Sequence, residues 1–139
     1  MSDPSTRGAD LGIALLRTGL GTMWIAHALL KLLVFTLPGT AQWFISIGFP
    51  GWVAYPLFAI ELFGGLALVL GLYARQVALA LSPVMAVVIF VHAAHGWVFS
   101  ATGGGWEYPA FLFLASLTLW LAGDGAYSLR RSHHLILAL

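Results

Sequence analysis

The sequence predicts an all-α, polytopic membrane protein, a bundle of four transmembrane helices with both termini cytoplasmic. Three observations predict it. Of 139 residues, 60% are hydrophobic and only 8% charged, with a mean hydropathy of +0.94. A soluble chain of this length cannot cover so much apolar surface with polar side chains. The apolar residues run in long blocks that use up nearly the whole chain, the pattern of membrane spans. Finally, the arginines are unevenly shared between the segments that connect those blocks.

The first block runs from about Leu11 to Phe35, behind Arg7. Ala26-His27-Ala28 has the small-x-small form of a leader cleavage site. The apolar run is too long for a leader, however, carries Arg17 and continues past Lys31, so it reads as an uncleaved helix. Ala14, Thr18, Thr22 and Ala26 recur at four-residue steps and are expected to form a small-residue seam against a neighbouring helix. The stretch "TAQWFISIGFPGW" follows and is expected to lie along the interface as a partial lid through Trp43, Phe44 and Ile47. The second block covers about Trp52 to Leu72, with Glu61 on the same side as Gly64 and Gly65. The third covers about Gln76 to His95, and Pro83 is expected to bend it by freeing a carbonyl one turn back.

Gly103-Gly104-Gly105 reads as a tight turn into the fourth and shortest block, about Trp106 to Ala122, with Pro109 in its first turn. The four blocks make one domain, residues 1–139, with no internal repeat. Segments 36–51 and 96–105 contain no Lys or Arg, whereas Arg7, Arg75, Arg130 and Arg131 lie before the first block, between the second and third, and after the fourth. The positive-inside rule then puts the termini in the cytoplasm of a bacterial cell, with the chain multi-pass in its inner membrane. His133 and His134, beside Arg130 and Arg131, read as a solvated tail.

Several chemistries are excluded. The chain has no cysteine, which removes thiolate catalysis, dithiol exchange and iron–sulfur ligation by this chain. No basic run points to nucleic acid, and the glycine run lacks the Lys and Ser/Thr of a phosphate-cradling loop.

What remains is a ladder of ionisable groups at membrane depth, where such groups cost several kcal/mol unless paired or hydrated and so mark function by default. His27 and His92 each lie about 24 Å along their helices from the cytoplasmic side, at one level in the outer half of the membrane. Lys31 and His95 stand about a turn further out, and Glu107 starts the fourth helix there. Glu61 falls near mid-membrane, and Arg17 lies below it, about 9 Å into the first helix, so an Arg17–Glu61 ion pair is one expectation. Arg17, Trp24, His27 and Lys31 share roughly a quarter of the helix circumference. Simpler readings stand beside these: Lys31 snorkelling to headgroups, and Arg17–Glu61 as a purely structural pair. His92-x-x-His95 could hold a metal, and opposed His27 and His92 a haem. Both are weaker readings, because no Cys or adjacent carboxylate completes the first and only depth links the pair of the second.

"RTGLGTMWIAHALLKL", "ELFGGLALVLGLYARQVAL" and "GGGWEYPAFLFLASLTLWLAGDGAYSL" closely resemble the DoxX family of small four-helix bacterial membrane proteins. The match covers almost the whole chain and includes Arg17, His27, Lys31, Glu61, Gly65, Gly71, Arg75, His92, Glu107, Gly123, Gly125, Tyr127 and Ser128. His27-Ala28 stands where a His-Gly pair is expected, and Asp124 adds an acid to the glycine turn. The resemblance implies redox chemistry at a membrane quinone, since some relatives are subunits of thiosulfate:quinone oxidoreductases and others accompany quinone-detoxifying or oxidative-stress systems.

The leading expectation is therefore a membrane subunit of a quinone-linked redox system, with its site in the outer half of the bundle. His27 and His92 are expected to bond and protonate the quinone, with Glu61 and Glu107 relaying protons. Lys31 or His95 would stabilise charge on its oxygen, with Trp24 beside the ring and Arg17 setting the charge of Glu61. Lipid surrounds the chain, and redox partner subunits or further copies of it are expected. The alternatives are a non-catalytic anchoring subunit of a larger redox complex and, more weakly, a small-molecule transporter.

Overall fold

Five α-helices form in the computed structural model, which describes residues 4–133; His134 of the expected tail lies outside the described residues. Helix α1 (Pro4–Leu29) begins at a proline, which suits a first turn whose amide protons would be unpaired anyway. It runs into a π-turn at Leu30–Val34, where the Phe35 amide donates to the Leu30 carbonyl. Helix α2 (Leu37–Ser46) forms inside the segment expected to be a connecting loop. The local signals explain it: the Thr36 hydroxyl accepts from the Gly39 amide at 3.1 Å, and Pro38 sits in the first turn. Phe44 and Ala41 of α2 are buried against Ala54, with Ile47 and Phe49 packed alongside.

Helix α3 (Ala54–Leu70) is led in by a 3₁₀ turn at Gly51–Val53. Gly71, at φ +67, closes it in a left-handed conformation that favours glycine. Helix α4 (Ala74–His92) stays helical through Pro83 and ends in a 3₁₀ turn at Ala93–His95. Helix α5 (Glu107–Ala122) completes the set. Among the described residues, three stretches are long and apolar enough to cross a membrane: Ser5–Val34, Gly51–Leu70 and Ala74–His95. Helix α5, with 16 residues, is about 24 Å long.

The main packing pairs are α1 with α3 and α4 with α5. The core centres on Leu20, Trp24, Leu68, Leu81, Met85, Leu112 and Leu119. The small-residue seam expected on α1 does not form: Thr18, Thr22 and Ala26 are exposed, and the two hydroxyls bond back to the carbonyls of Ala14 and Thr18. The close crossing uses glycines instead. A Cβ on Gly21 would stand 2.7 Å from the Gly65 carbonyl oxygen, and one on Gly65 would stand 2.8 Å from that of Gly21. Glycine at both positions lets the α1 and α3 backbones touch. That contact lies one turn along α3 from Glu61 and brings α3 beside the C-terminal half of α1.

The other end of the bundle, at the start of α1, is tied by the segment after α5. The Ala126 amide donates to the Asp10 carbonyl, Tyr73 to Arg130 and Arg130 to Gly71, so the start of α1, the α3–α4 turn and the final described segment meet. A single parallel bridge, Leu72 with Arg130, is part of this tie. Asp124 is its anchor, accepting from the Ser132 amide at 2.8 Å, the Ser132 hydroxyl at 2.6 Å and the Arg75 amide at 3.3 Å. The Arg75 side chain donates to the carbonyls of Trp120 and Leu121, capping the end of α5.

Candidate functional site

Where α1, α3, α4 and α5 spread apart on the Glu61 side of the glycine crossing, they border a cavity of about 1260 Å³. Every helix supplies wall: Met23, Trp24 and His27 from α1, Thr40, Trp43 and Phe44 from α2, Leu57 and Glu61 from α3, Met85, Val88 and His92 from α4, and Glu107, Tyr108, Phe111 and Leu112 from α5. The loop 96–106 folds across the start of α5, and Trp97, Phe99, Gly104 and Gly105 also line the cavity. The Trp106 and Glu107 amides donate to the carbonyls of Gly96 and Trp97, and the two indoles meet edge to face at 4.5 Å. A Cβ on Gly105 would collide with the Trp97 and Val98 carbonyls, so this fold-over requires glycine there.

The cavity is an apolar chamber with a few polar groups, the general form of a small-molecule site. Its central polar feature is an ion pair. Lys31 Nζ donates to both carboxylate oxygens of Glu61, at 3.0 and 2.8 Å. The Lys31 side chain is 17% exposed and that of Glu61 4%, so the carboxylate is the deeper partner. Lys31 rides on the π-turn, a local helix distortion often found at functional sites. An ammonium has three donors, and this pairing uses two.

The two histidines are held alike. His27 Nδ1 lies 2.8 Å from the Met23 carbonyl and His92 Nδ1 lies 2.9 Å from that of Val88, each one turn back on its own helix. A carbonyl only accepts, so Nδ1 carries the proton in each ring, and Nε2 is left for another partner. His27 stacks on Tyr108 with centroids 5.8 Å apart. Two further donors are buried without a partner, the Trp24 indole N–H and the Tyr108 hydroxyl. Unpaired buried polar atoms are costly, and a cavity wall is where a ligand can satisfy them.

Of the eight residues singled out in the sequence, six line this one chamber: His27, His92, Glu61, Glu107, Lys31 and Trp24. Glu107 also has a structural task, accepting from the Phe99 amide at 2.9 Å and so tethering the loop 96–106. The other two lie elsewhere. His95 packs on the loop, where a Cβ on Gly103 would come within 2.8 Å of its ring; its ring and that of His92 meet edge to face at 5.9 Å.

Arg17 does not pair with Glu61. It donates to the Ser128 hydroxyl at 2.6 Å and the Ala126 carbonyl at 3.2 Å, on the far side of the Gly21–Gly65 crossing. Lys31 takes the position expected of Arg17 and thus does not snorkel outward. Tyr108 was missed in the sequence; its signal was an aromatic hydroxyl beside Glu107 at the start of an otherwise apolar helix. Among the described residues, no three His, Asp or Glu side chains gather as a metal set.

Comparison with known proteins gives two matches. The model of the DoxX family matches residues 12–94. The chain is also 33% identical over 116 residues to a protein of Bacillus subtilis (strain 168) named "Putative oxidoreductase CatD", which covers 83% of this chain and 81% of that one. No solved structure matches.

Proposed function

The chain belongs to the DoxX family of membrane proteins, and on that premise we propose that it is a membrane subunit of a quinone-linked redox system whose cavity binds the quinone ring. The observation that carries this reading is the polar set within the apolar chamber: the Lys31–Glu61 pair, two histidines with Nδ1 already engaged, and the unpartnered donors of Trp24 and Tyr108. The oxidoreductase name of the Bacillus relative supports redox chemistry. The proposal includes four spans, α1, α3, α4 and α5, in a bacterial inner membrane with cytoplasmic termini. Arg7, Arg75, Arg130 and Arg131 then lie on the cytoplasmic side and the cavity on the outer side.

The wall fits a quinone in both of its states. A flat ring with two carbonyl oxygens needs apolar surface for its faces and donors for its oxygens; the apolar wall offers the first, and Lys31, Trp24 and Tyr108 carry donors for the second. A bound quinone supplies a two-electron carrier that takes up two protons on reduction. His27 and His92 serve either direction, since a neutral ring accepts a proton at Nε2 and a protonated one donates it. With no cysteine in the chain, the electrons are exchanged with a second substrate or a partner subunit.

The test is a fluorescence titration of the purified protein in lipid nanodiscs with a water-soluble benzoquinone. The reading predicts saturable quenching of the tryptophans, weakened at least tenfold by His27→Phe combined with His92→Phe. Linear, non-saturating quenching that the substitutions leave unchanged would reject it.

A further inference from the structure

Residues 30–48 supply one wall of the cavity and hold two departures from ordinary helix geometry. The first is the π-turn Leu30–Val34, in which the Phe35 amide donates to the Leu30 carbonyl at 2.9 Å. The second follows directly. Thr36 has φ +60 and ψ +154, a region that glycine enters readily and a β-branched residue only under strain. Three hydrogen bonds hold it there. Its hydroxyl accepts from the Gly39 amide, and its carbonyl accepts from the amide and the hydroxyl of Thr40, both at 2.9 Å. Thr40 is itself buried in the cavity wall. Beyond α2 comes Gly48, at φ +88 with open space around it. Helix α2 thus lies between two joints of positive φ, packed on α3, the Gly51–Val53 turn and the π-turn. Phe35 and Trp43 line the cavity and are 60% and 47% exposed, so they stand at its mouth. Lys31, within the π-turn, is bonded to Glu61 on α3.

We propose that α2 is a hinged gate on the cavity, pivoting at Thr36 and Gly48 and latched by the Lys31–Glu61 ion pair. Strained backbone persists only where surrounding contacts impose it, and it collects at clamps and switches. Here the strain belongs to the latched form. Releasing Lys31 lets the π-turn relax to an α-turn: the Phe35 amide exchanges the Leu30 carbonyl for that of Lys31, one hydrogen bond for another. That change of register turns the chain beyond it by about 100°. Thr36 then leaves its strained conformation, and α2 swings Phe35 and Trp43 away from the mouth. A ligand that draws the Lys31 ammonium or the Glu61 carboxylate to itself acts on the gate as it binds. The inference concerns access to the chamber and does not depend on the chemistry of the ligand.

The test needs no ligand, so its result is independent of the quinone reading. Because the chain has no cysteine, spin labels can be placed through Ile45→Cys on α2 and Phe90→Cys on α4, both exposed positions. Phe63→Cys on α3 with Phe90→Cys is the control pair. In nanodiscs, double electron–electron resonance should find the first pair in two populations about 5 Å or more apart, and the control pair in one. Thr36→Gly accepts the positive φ and still caps α2 at little loss, so it should at least halve the open population. Thr36→Val keeps the strain and loses the hydroxyl, and should raise that population at least threefold, as should Lys31→Met. A second readout is thiol labelling of Met85→Cys, buried in the cavity wall, which should slow with Thr36→Gly and quicken with Thr36→Val. The two Thr36 variants decide the matter even if Lys31→Met fails to fold. A single Ile45–Phe90 distance in every variant, or Thr36→Gly and Thr36→Val shifting the populations in the same direction, would overturn the gate.

Discussion

Lys31→Met should be the most damaging single change to the polar set, and its size can be worked from the ion pair. Both Lys31–Glu61 bonds are short, and the Glu61 side chain is only 4% exposed. Removing one member of a buried pair strands the other charge, at a cost of about 3–5 kcal/mol. Lys31 is 17% exposed, so some solvent reaches the vacated end, and the lower limit, about 3 kcal/mol, is the better expectation. Glu61→Gln should cost less, about 1–2 kcal/mol, because the ammonium left behind is the more exposed partner and an amide can still accept from it. Replacing both, as Lys31→Met with Glu61→Leu, removes the stranded charge and should return stability to within about 1 kcal/mol of wild type. The assay is reversible unfolding in mixed detergent–lipid bicelles at neutral pH, with quinone titration of each variant under folding conditions. The double variant should be stable yet bind quinone at least tenfold more weakly. Single variants within about 0.5 kcal/mol of wild type would refute the reasoning, because that is the behaviour of a solvated pair.

Three other outcomes follow from the packing. Gly65→Ala should destabilise by about 1–3 kcal/mol in the same unfolding assay, because its Cβ would meet the Gly21 carbonyl at 2.8 Å, backbone against backbone; Gly19→Ala, with open space around it, should cost nothing or gain up to about 1 kcal/mol. Arg17→Met should lower stability by about 2 kcal/mol through loss of its bonds to Ser128 and Ala126, yet leave quinone affinity within twofold of wild type. Asp124→Ala should free the segment after α5, read as faster proteolysis beyond Gly123, since three donors lose their acceptor.

Much of this was legible because hydropathy and helical rise are one-dimensional quantities. The blocks ending near Phe35, Leu72, His95 and Ala122 follow from apolar length alone. Counting 1.5 Å per residue puts His27 and His92 about equally far along their helices, and both line the one cavity. Which charged groups meet is a question of azimuth and of the whole tertiary fold, and there counting fails. Arg17 and Glu61 looked adjacent in depth, but a segment more than a hundred residues later supplies the partners of Arg17. The π-turn at Leu30–Val34, absent from any periodicity argument, carries Lys31, the residue that pairs with Glu61. Four-residue spacing pointed to Ala14, Thr18, Thr22 and Ala26 as a seam, whereas the crossing uses Gly21 and Gly65 because only residues without Cβ allow carbonyl contact. Helix α2 was readable from Thr36 and Pro38 as capping signals, but the absence of charge on a short amphipathic stretch made it resemble an interfacial loop.

The measurement that bears most directly on the central claim is the quinone content of the protein itself. The chain should be extracted gently from its native membrane and purified, its quinone quantified after organic extraction, and the ratio compared with that of bulk lipid from the same membrane. Close to one quinone per chain is expected, far above the lipid ratio, with a fall to that ratio in the paired His27→Phe and His92→Phe variant. Quinone at the bulk-lipid ratio in the folded wild type, unchanged by those substitutions, would contradict it and leave the polar set as internal support for an anchoring subunit.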